Sequence, residues 1–302
     1  MNITLRQLRV FESVASHLSY TRAAQALFLT QPAVSMQVKQ LEGQLGVALF
    51  EQVGKTIHLT ETGGEVLIYT RNINRQLEEL EQLINQRKGV KGGKLRISVA
   101  TTANYFVPTL LAAFNRRYPE VVISLDVTNR QSLLDQLNDN IVDLVIMGQP
   151  PADRDLEAWA FLENNLVVVA PPHHPLATKK HIPLLKLQHE TFLVRELGSG
   201  TRSAMERFFK ERGVQLKTGM EVGSNEAIKQ SVQAGLGLGL LSRDTVEMEM
   251  ILNRLRILDV EHFPIVRHWY VVHRRGKRLS IAAQEFQNFM LVESRALLQR
   301  EK

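Results

Sequence analysis

Residues 18–45, LSYTRAAQALFLTQPAVSMQVKQLEGQL, decide the fold. Ala23, Ala24 and Leu27 give a short helix a small face that a second helix can approach closely. Thr30 is placed to cap that second helix. Pro32 is tolerated in its first turn, where a backbone N–H has no helical partner. At about 100° per residue, Val34, Val38, Leu41 and Leu45 fall on one stripe, and Pro32, Ser35, Met36, Lys39 and Gln40 point the other way. Such a helix can enter a DNA major groove, where Gln and Ser meet base edges and Lys meets phosphate. An ordinary surface helix has the same pattern, so the pair of helices alone leaves both readings open.

The neighbouring segments complete a unit around this pair. Residues 4–17 read as an amphipathic helix with Leu5, Leu8, Phe11, Val14 and Ala15 inward. Residues 48–53 and 56–60 read as two strands around Gly54-Lys55, a wing whose tip residue Lys55 can reach phosphate. From Thr62 to Lys88 a proline-free pattern spaces Val66, Thr70, Ile73, Leu77, Leu80 and Ile84 by fours and threes, as in a coiled-coil seam, over about 40 Å. This helix is expected to pair with a second chain and so present two reading helices to a two-fold site. GVKGGK at 89–94 is a hinge by composition.

Beyond the hinge the texture changes. LRISVA at 95–100, VVISLDV at 121–127 and VDLVIM at 142–147 are apolar β-rich runs, separated by helical stretches at 105–117 and 131–139. A second set follows: strands at 166–170, 191–194, 219–222 and 238–242, with helices at 201–212 and 225–234. A strand at 269–273 and a helix near 280–299 close the chain. Alternation of this kind predicts βαβ units and parallel sheet. Two such α/β subdomains joined by crossing strands leave a cleft.

Ligands of open α/β sheets bind beyond the carboxyl ends of strands, near helix N-termini that favour anions. The residues expected there are Thr101, Thr102 and Asn104, then Thr128, Asn129 and Arg130, then Arg195, Ser199, Thr201 and Arg202, and finally Asn225. They form a candidate site for a small anion, with arginine as bidentate donor.

Composition narrows the class. The 302 residues, 44% hydrophobic and 23% charged, are ordinary for globular chains of two or three domains. With no cysteine, thiol catalysis, disulfides and Cys-ligated zinc are excluded. No apolar run of about 18 residues and no signal core are visible, so a cytoplasmic protein without a membrane partner is expected. The net charge of +6 is uneven: residues 1–60 carry five basic and three acidic groups, whereas 267–302 carry eight and three. Charge alone therefore does not single out a nucleic-acid face.

The N-terminal stretch resembles the winged helix-turn-helix of LysR-type transcriptional regulators. The likeness is carried by Leu8-Arg9-Val10-Phe11, Thr21-Arg22-Ala23-Ala24, Thr30-Gln31-Pro32-Ala33-Val34-Ser35, Gln40-Leu41-Glu42, Leu49-Phe50 and Leu59-Thr60-Glu61-Thr62-Gly63. It implies a DNA-facing set of Thr21, Arg22, Thr30, Gln31, Pro32, Ser35, Met36, Lys39 and Lys55. The family often carries Arg where Met36 stands, which takes a direct guanine or phosphate contact from that position. The C-terminal part resembles the family's effector domain, shaped like a type 2 periplasmic binding protein. There the likeness rests on Leu95-Arg96-Ile97, Pro108, Phe114, Tyr118-Pro119, Asp143-Leu144, His174-Pro175-Leu176, Ala234-Gly235-Leu236-Gly237 and Leu279-Ser280.

The expected organisation is a DNA-binding domain at 1–60, a linker helix and hinge at 61–91, and an effector domain at 92–302. Subdomain I of the effector domain is taken as 92–163 with 268–302, and subdomain II as 164–267. LRISVATTANYFVP at 95–108 with Gly198-Ser199-Gly200-Thr201-Arg202 most resembles the subgroup that regulates Calvin-cycle, carbon-dioxide-fixation operons. In that subgroup the effectors are phosphorylated sugars, related acids or nicotinamide nucleotides. The resemblance further implies promoter DNA, a small-molecule effector and a homo-oligomer as partners. The oligomer is a dimer through the linker helix and a tetramer as working assembly, with RNA polymerase as a further partner. Regulation of another metabolic operon stays open.

An enzyme is rejected on the residues, with no catalytic set, metal or cofactor expected. His173, His174, His181 and His189 give no i, i+4 ligand pair, and Gly235-Leu236-Gly237-Leu238-Gly239 precedes a strand and lacks GxGxxG spacing. A solute-binding module without a DNA role would explain 95–302 but not the first ninety residues.

Overall fold

The computed structural model describes residues 2–54, 56–87 and 92–300. The chain divides into two units, Met1–Val90 with Asp139–Ile141, and Lys91–Asn138 with Val142–Lys302.

The first unit packs helices α1 (Leu5–His17), α2 (Tyr20–Ala26) and α3 (Gln31–Leu45) beside a hairpin, β1 (Phe50–Val53) and β2 (Thr56–Leu59), and leads into α4 (Glu61–Arg87). Caps set where the helices begin. Thr4 accepts from the Gln7 N–H, Ser19 from Arg22 and Thr30 from Ala33, and Pro32 occupies the first turn of α3. The buried stripe of α3 is Val34, Val38 and Leu41, all fully enclosed. Its partners are Phe11, Val14 and Ala23, so each large side chain removed from water contributes about 1.5–3 kcal/mol. Phe50 ties the hairpin to this core, its ring 5.5 Å from Phe11 and 6.0 Å from Tyr20.

Three family-motif residues acquire local reasons. The Glu42 carboxylate accepts the Leu49 N–H at 2.8 Å and the Phe50 N–H at 3.3 Å, fixing the turn after α3. Thr60 donates to the Ala48 carbonyl and caps α4 at the Gly63 N–H. Gly63 itself is forced: a Cβ there would stand 2.1 Å from the Leu49 carbonyl oxygen.

Two expectations are corrected here. Leu5 is about half exposed, because it sits in the first turn of α1, whereas Val10, not among the residues expected inward, is buried against α2. The proposed seam also splits. Val66 and Thr70 turn into the first unit, with Asn74 of α4 donating to Glu12 of α1 at 2.6 Å. Tyr69, Ile73, Leu80 and Ile84 leave the exposed apolar stripe. Lys55, Lys88 and residues 89–91 of the hinge expected at 89–94 lie outside the described residues.

The second unit holds two five-stranded sheets. β3 (Gly93–Ala100) leads through a 3-10 turn, Thr101–Tyr105, into α5 (Val107–Arg117), followed by β4 (Val121–Thr128), α6 (Arg130–Asn138), β5 (Leu144–Met147) and β6 (Leu156–Glu163). The chain then crosses to β7 (Leu166–Ala170), β8 (Thr191–Arg195), α7 (Gly200–Glu211), β9 (Lys217–Val222), α8 (Asn225–Gln233), β10 (Leu238–Ser242), α9 (Glu247–Ile251) and β11 (Arg256–Ile257). It returns through β12 (His268–Arg274) and ends in α10 (Ile281–Arg300). The strand orders are β4-β3-β5-β12-β6 and β11-β7-β10-β8-β9.

The sheets are mixed rather than wholly parallel. β12 runs antiparallel to both β5 and β6, and β7 runs antiparallel to β10 and β11. β6, LEAWAFLE, was not expected from the sequence: its two-sided burial is partial, as befits an edge strand. Parallel pairing survives where the site forms. β3 is flanked in parallel by β4 and β5, and β8 by β9 and β10. Two connections cross between sheets side by side, the Asn164 N–H donating to the Arg267 carbonyl at 2.8 Å and Leu166 bridging Ile265.

Candidate functional site

Two places carry recognisable chemistry. The first is the outer face of α3, where Gln31, Pro32, Ser35, Met36, Lys39 and Gln40 line a shallow open concavity. All but the half-buried Ser35 are exposed, directly opposite the buried Val34 stripe. Thr21 and Arg22 are exposed in the first turn of α2, and Thr30 caps α3. The face offers amide, hydroxyl and ammonium groups on a rigid helix whose own backbone is satisfied. Hydrogen-bond donors and acceptors so placed suit base edges, and Lys39 suits phosphate.

The second place is a cavity of about 540 Å³ at the strand ends of the second unit. Because Ala100 pairs with Thr128 and Arg195 with Val222, the turns after β3, β4 and β8 open into one space. Thr101, Thr102, Asn129, Arg130, Arg195, Ser199 and Thr201 all line it. The first turn of α7 faces it too, with N–H groups that have no partner within the helix. Asn129 also caps α6, accepting the Ser132 N–H at 3.0 Å.

Arg195 spans the two sheets. It donates to Thr101 Oγ1 at 3.3 Å and to Asn225 Oδ1 at 2.5 Å, while Glu196 holds it through two bonds of 2.7 and 2.8 Å. Four expected residues do not line the cavity. Arg202 turns away to Glu206 at 2.8 Å and Glu221 at 2.5 Å, since both carboxylates sit on its own side of α7. Asn104 is exposed on the 3-10 turn, and Thr128 is half-buried at the end of its strand. Asn225 is buried behind Arg195 and serves to orient it.

Sequence reasoning missed the strongest groups. Arg207 and Arg267 line the cavity, as do Asn164 and Trp269. Arg267 donates to the Gly200 carbonyl at 3.0 Å, and Arg130 to the Gln149 carbonyl at 3.0 Å. Burial, with Arg207 and Arg130 as like-charged neighbours, pushes Arg267 down to about 10. Arg130 is lowered by burial and by Arg207, against an opposing pull from Asp153. Arg267 Nε, Trp269 Nε1 and both side-chain polar atoms of Asn164 are buried without a partner. Three cations repel one another beside unsatisfied donors, and among the described residues only Glu196, already engaged with Arg195, lines the cavity as an acid. A multiply charged anion offsets the repulsion and accepts from the unpartnered donors at once.

Residues 5–64 match the bacterial regulatory helix-turn-helix protein, lysR family, and residues 88–294 match the LysR substrate binding domain. The chain belongs to the LysR family of transcriptional regulators. This LysR-type regulator pairs a DNA-binding helix-turn-helix with an effector-binding domain, and its described residues contain no helix long and apolar enough to cross a membrane. It is 55% identical to the RuBisCO operon transcriptional regulator of Allochromatium vinosum, over 97% of each chain. With the HTH-type transcriptional activator CmpR of Synechocystis it shares 46% identity, over 98% of this chain and 97% of that one. The Synechocystis CcmR regulatory domain, solved in complex with 2-PG, is 43% identical with a TM-score of 0.65, covering 67% of this chain and 97% of that domain. The relatives named are transcriptional regulators.

Proposed function

We propose that this LysR-type regulator controls carbon-dioxide-fixation genes and that its effector is a small phosphorylated carboxylate. The carrying observation is the cluster of Arg130, Arg207 and Arg267 around buried, unpartnered donors at the strand ends. The RuBisCO operon regulators among its relatives, and CcmR with 2-PG (2-phosphoglycolate), supply the biological setting. Thr101, Thr102, Asn129, Ser199 and Thr201 would hold one end of the ligand and the arginines the other. Arg195 bridges the subdomains behind it, and no cofactor is required.

The domain limits we favour are 1–60 for reading DNA, 61–91 for the linker and 92–302 for the effector, with Asn164 and Arg267 at the subdomain crossing. On α3, Gln31, Ser35 and Gln40 would read bases in promoter DNA, with Lys39 and the wing residue Lys55 on phosphate. The exposed stripe of Tyr69, Ile73, Leu80 and Ile84 supports pairing of linker helices into a dimer. Two dimers would make the working tetramer, and RNA polymerase its downstream contact. Ligand changes the subdomain angle only so far as it binds the two arrangements unequally.

Titration calorimetry of the full chain with 2-phosphoglycolate tests the effector assignment. Saturable binding is expected, stronger than for inorganic phosphate, which offers one charged end. Affinity should hold to about pH 10 and then fall as the free Arg267 loses its proton, about tenfold per pH unit at the steepest. The fall comes on the alkaline side because the bound anion favours the charged guanidinium. Absence of binding would count against the assignment, and an affinity flat to pH 11 against the lowered Arg267 alone.

A further inference from the structure

The crossing segment separates two cavities. Asn164 lines the arginine-rich one, whereas its neighbours Glu163 and Asn165 line another, of about 760 Å³. Leu162 lines that second cavity too, so of these four residues Asn164 alone turns to the arginine-rich side, and the stretch is a partition with a cavity on each side. The partition is held by backbone bonds, Asn164 to the Arg267 carbonyl and Arg243 to the Asn165 carbonyl, each at 2.8 Å.

Both sheets supply walls to the second cavity. Phe106, Arg295 and Leu298 come from the side of the first sheet, and Arg243, Glu247 and Met250 from the side of the second. Tyr105 also lines it, held in place by donating to Glu226 and by Lys229 Nζ, 5.1 Å from its ring centre. Arg243 and Arg295 make no side-chain hydrogen bond or ion pair with the other described residues. The carboxylates of Glu163, Asp244 and Glu247 line the same cavity. Asn165 donates to Glu163 at 3.4 Å and leaves its own buried Oδ1 unpartnered.

Acids outnumber arginines here, so a plain dianion is disfavoured, in contrast to the first cavity. A ligand with one anionic and one cationic group on an apolar body meets both charges and the apolar part of the lining. Its carboxylate pairs with Arg243 and Arg295 and its ammonium with Glu163 and Glu247. Its hydrocarbon lies on Phe106, Met250 and Leu298. We infer that this cavity is a second ligand site, for a small apolar zwitterion of the leucine or phenylalanine class, whose occupancy opposes occupancy of the first. The opposition follows from the partition: rotating the subdomains about it closes one cavity as it opens the other. That second half rests on the effector reading given above; the site itself does not.

Calorimetry of the full chain with L-leucine and L-phenylalanine decides the matter. Saturable binding is expected for one or both. 4-Methylpentanoate and isoamylamine, which keep leucine's body and one charge each, should bind about tenfold more weakly. Leu298→Trp, which fills the half-buried wall, should abolish the binding, and Arg295→Ala, at an exposed position, should weaken it without affecting folding. With the amino acid saturating, 2-phosphoglycolate should bind several-fold more weakly, and the reverse titration should return the same factor. No saturable binding of either amino acid, equal binding of 4-methylpentanoate, or binding that survives both substitutions would overturn the site. An unchanged 2-phosphoglycolate affinity would overturn the opposition. Should 2-phosphoglycolate itself fail to bind, the amino-acid titrations would still decide the cavity.

Discussion

Arg267→Met should remove the response to 2-phosphoglycolate while leaving the protein folded and able to bind operator DNA. Arg267 is half-buried, donates to the Gly200 carbonyl and carries a buried, partnerless Nε toward the cavity. Losing one side of a desolvated charge pair costs about 2–5 kcal/mol of binding, roughly thirtyfold to several thousandfold in affinity. Folding should not suffer in proportion. A guanidinium whose folded value lies below its unfolded one is charged at a penalty in the native state at neutral pH, a penalty that fades as pH rises past about 10. Methionine fills comparable volume without that charge. Calorimetric titration and thermal unfolding at pH 7.5 check both halves. Ligand affinity within threefold of the parent would refute the role given to this side chain, and so would a loss confined to stability.

Ser35→Glu is expected to be the most damaging single change on the DNA face. Ser35 stands on the open side of α3, between Gln31 and Lys39, over a stripe that is already fully packed. A carboxylate there faces base-edge acceptors and nearby phosphates, and like charges brought together at an interface cost several kcal/mol. Operator affinity should fall by about a hundredfold or more, with an unchanged melting temperature because the position is on the solvent side. Lys39→Gln should behave differently. It should weaken all sequences about equally and reduce the salt slope by about one, as expected for a phosphate contact. Mobility shifts on operator and unrelated DNA across a salt series distinguish the two. Equal loss on both DNAs for Ser35→Glu would argue against base readout at this helix.

The sequence reading succeeded where local chemistry sets local structure. Thr30 and Pro32 start α3, its apolar stripe is buried as the helical period requires, and strands β3, β4 and β8 end in the polar turns that line the cavity. It failed where a side chain's direction depends on an element's rotation or on a distant partner. Arg202 stood nearest the glycine-rich turn and drew attention, but successive helical positions diverge by about 100°. Gly200, Ala204 and Arg207 share the face toward the cavity, and Arg202 points elsewhere. Counting i, i+4 and i+7 from Gly200 would have found Arg207. Arg267 had no such signal, because it reaches Gly200 only through the second crossing connection, some seventy residues later in the chain. The antiparallel direction of β12, whose strand the sequence does show, and β6 altogether escape for a related reason: pairing partners far apart in sequence leave no local mark of direction. Likewise, Thr70 shares the seven-residue rhythm of the linker, yet α1 covers it, and periodicity alone does not say which partner a stripe meets.

The most direct measurement is a footprint of the full chain on a RuBisCO-operon promoter fragment, with and without saturating 2-phosphoglycolate. It should be run in parallel on the parent and on Arg267→Met. Protection of a two-fold site is expected in all four samples, with its extent or the pattern of hypersensitive cleavage shifting on addition of ligand in the parent alone. Identical footprints in the parent with and without ligand, or no protection at low salt where phosphate contacts are strongest, would contradict a regulator that reads DNA with α3 and is tuned by an anion among Arg130, Arg207 and Arg267.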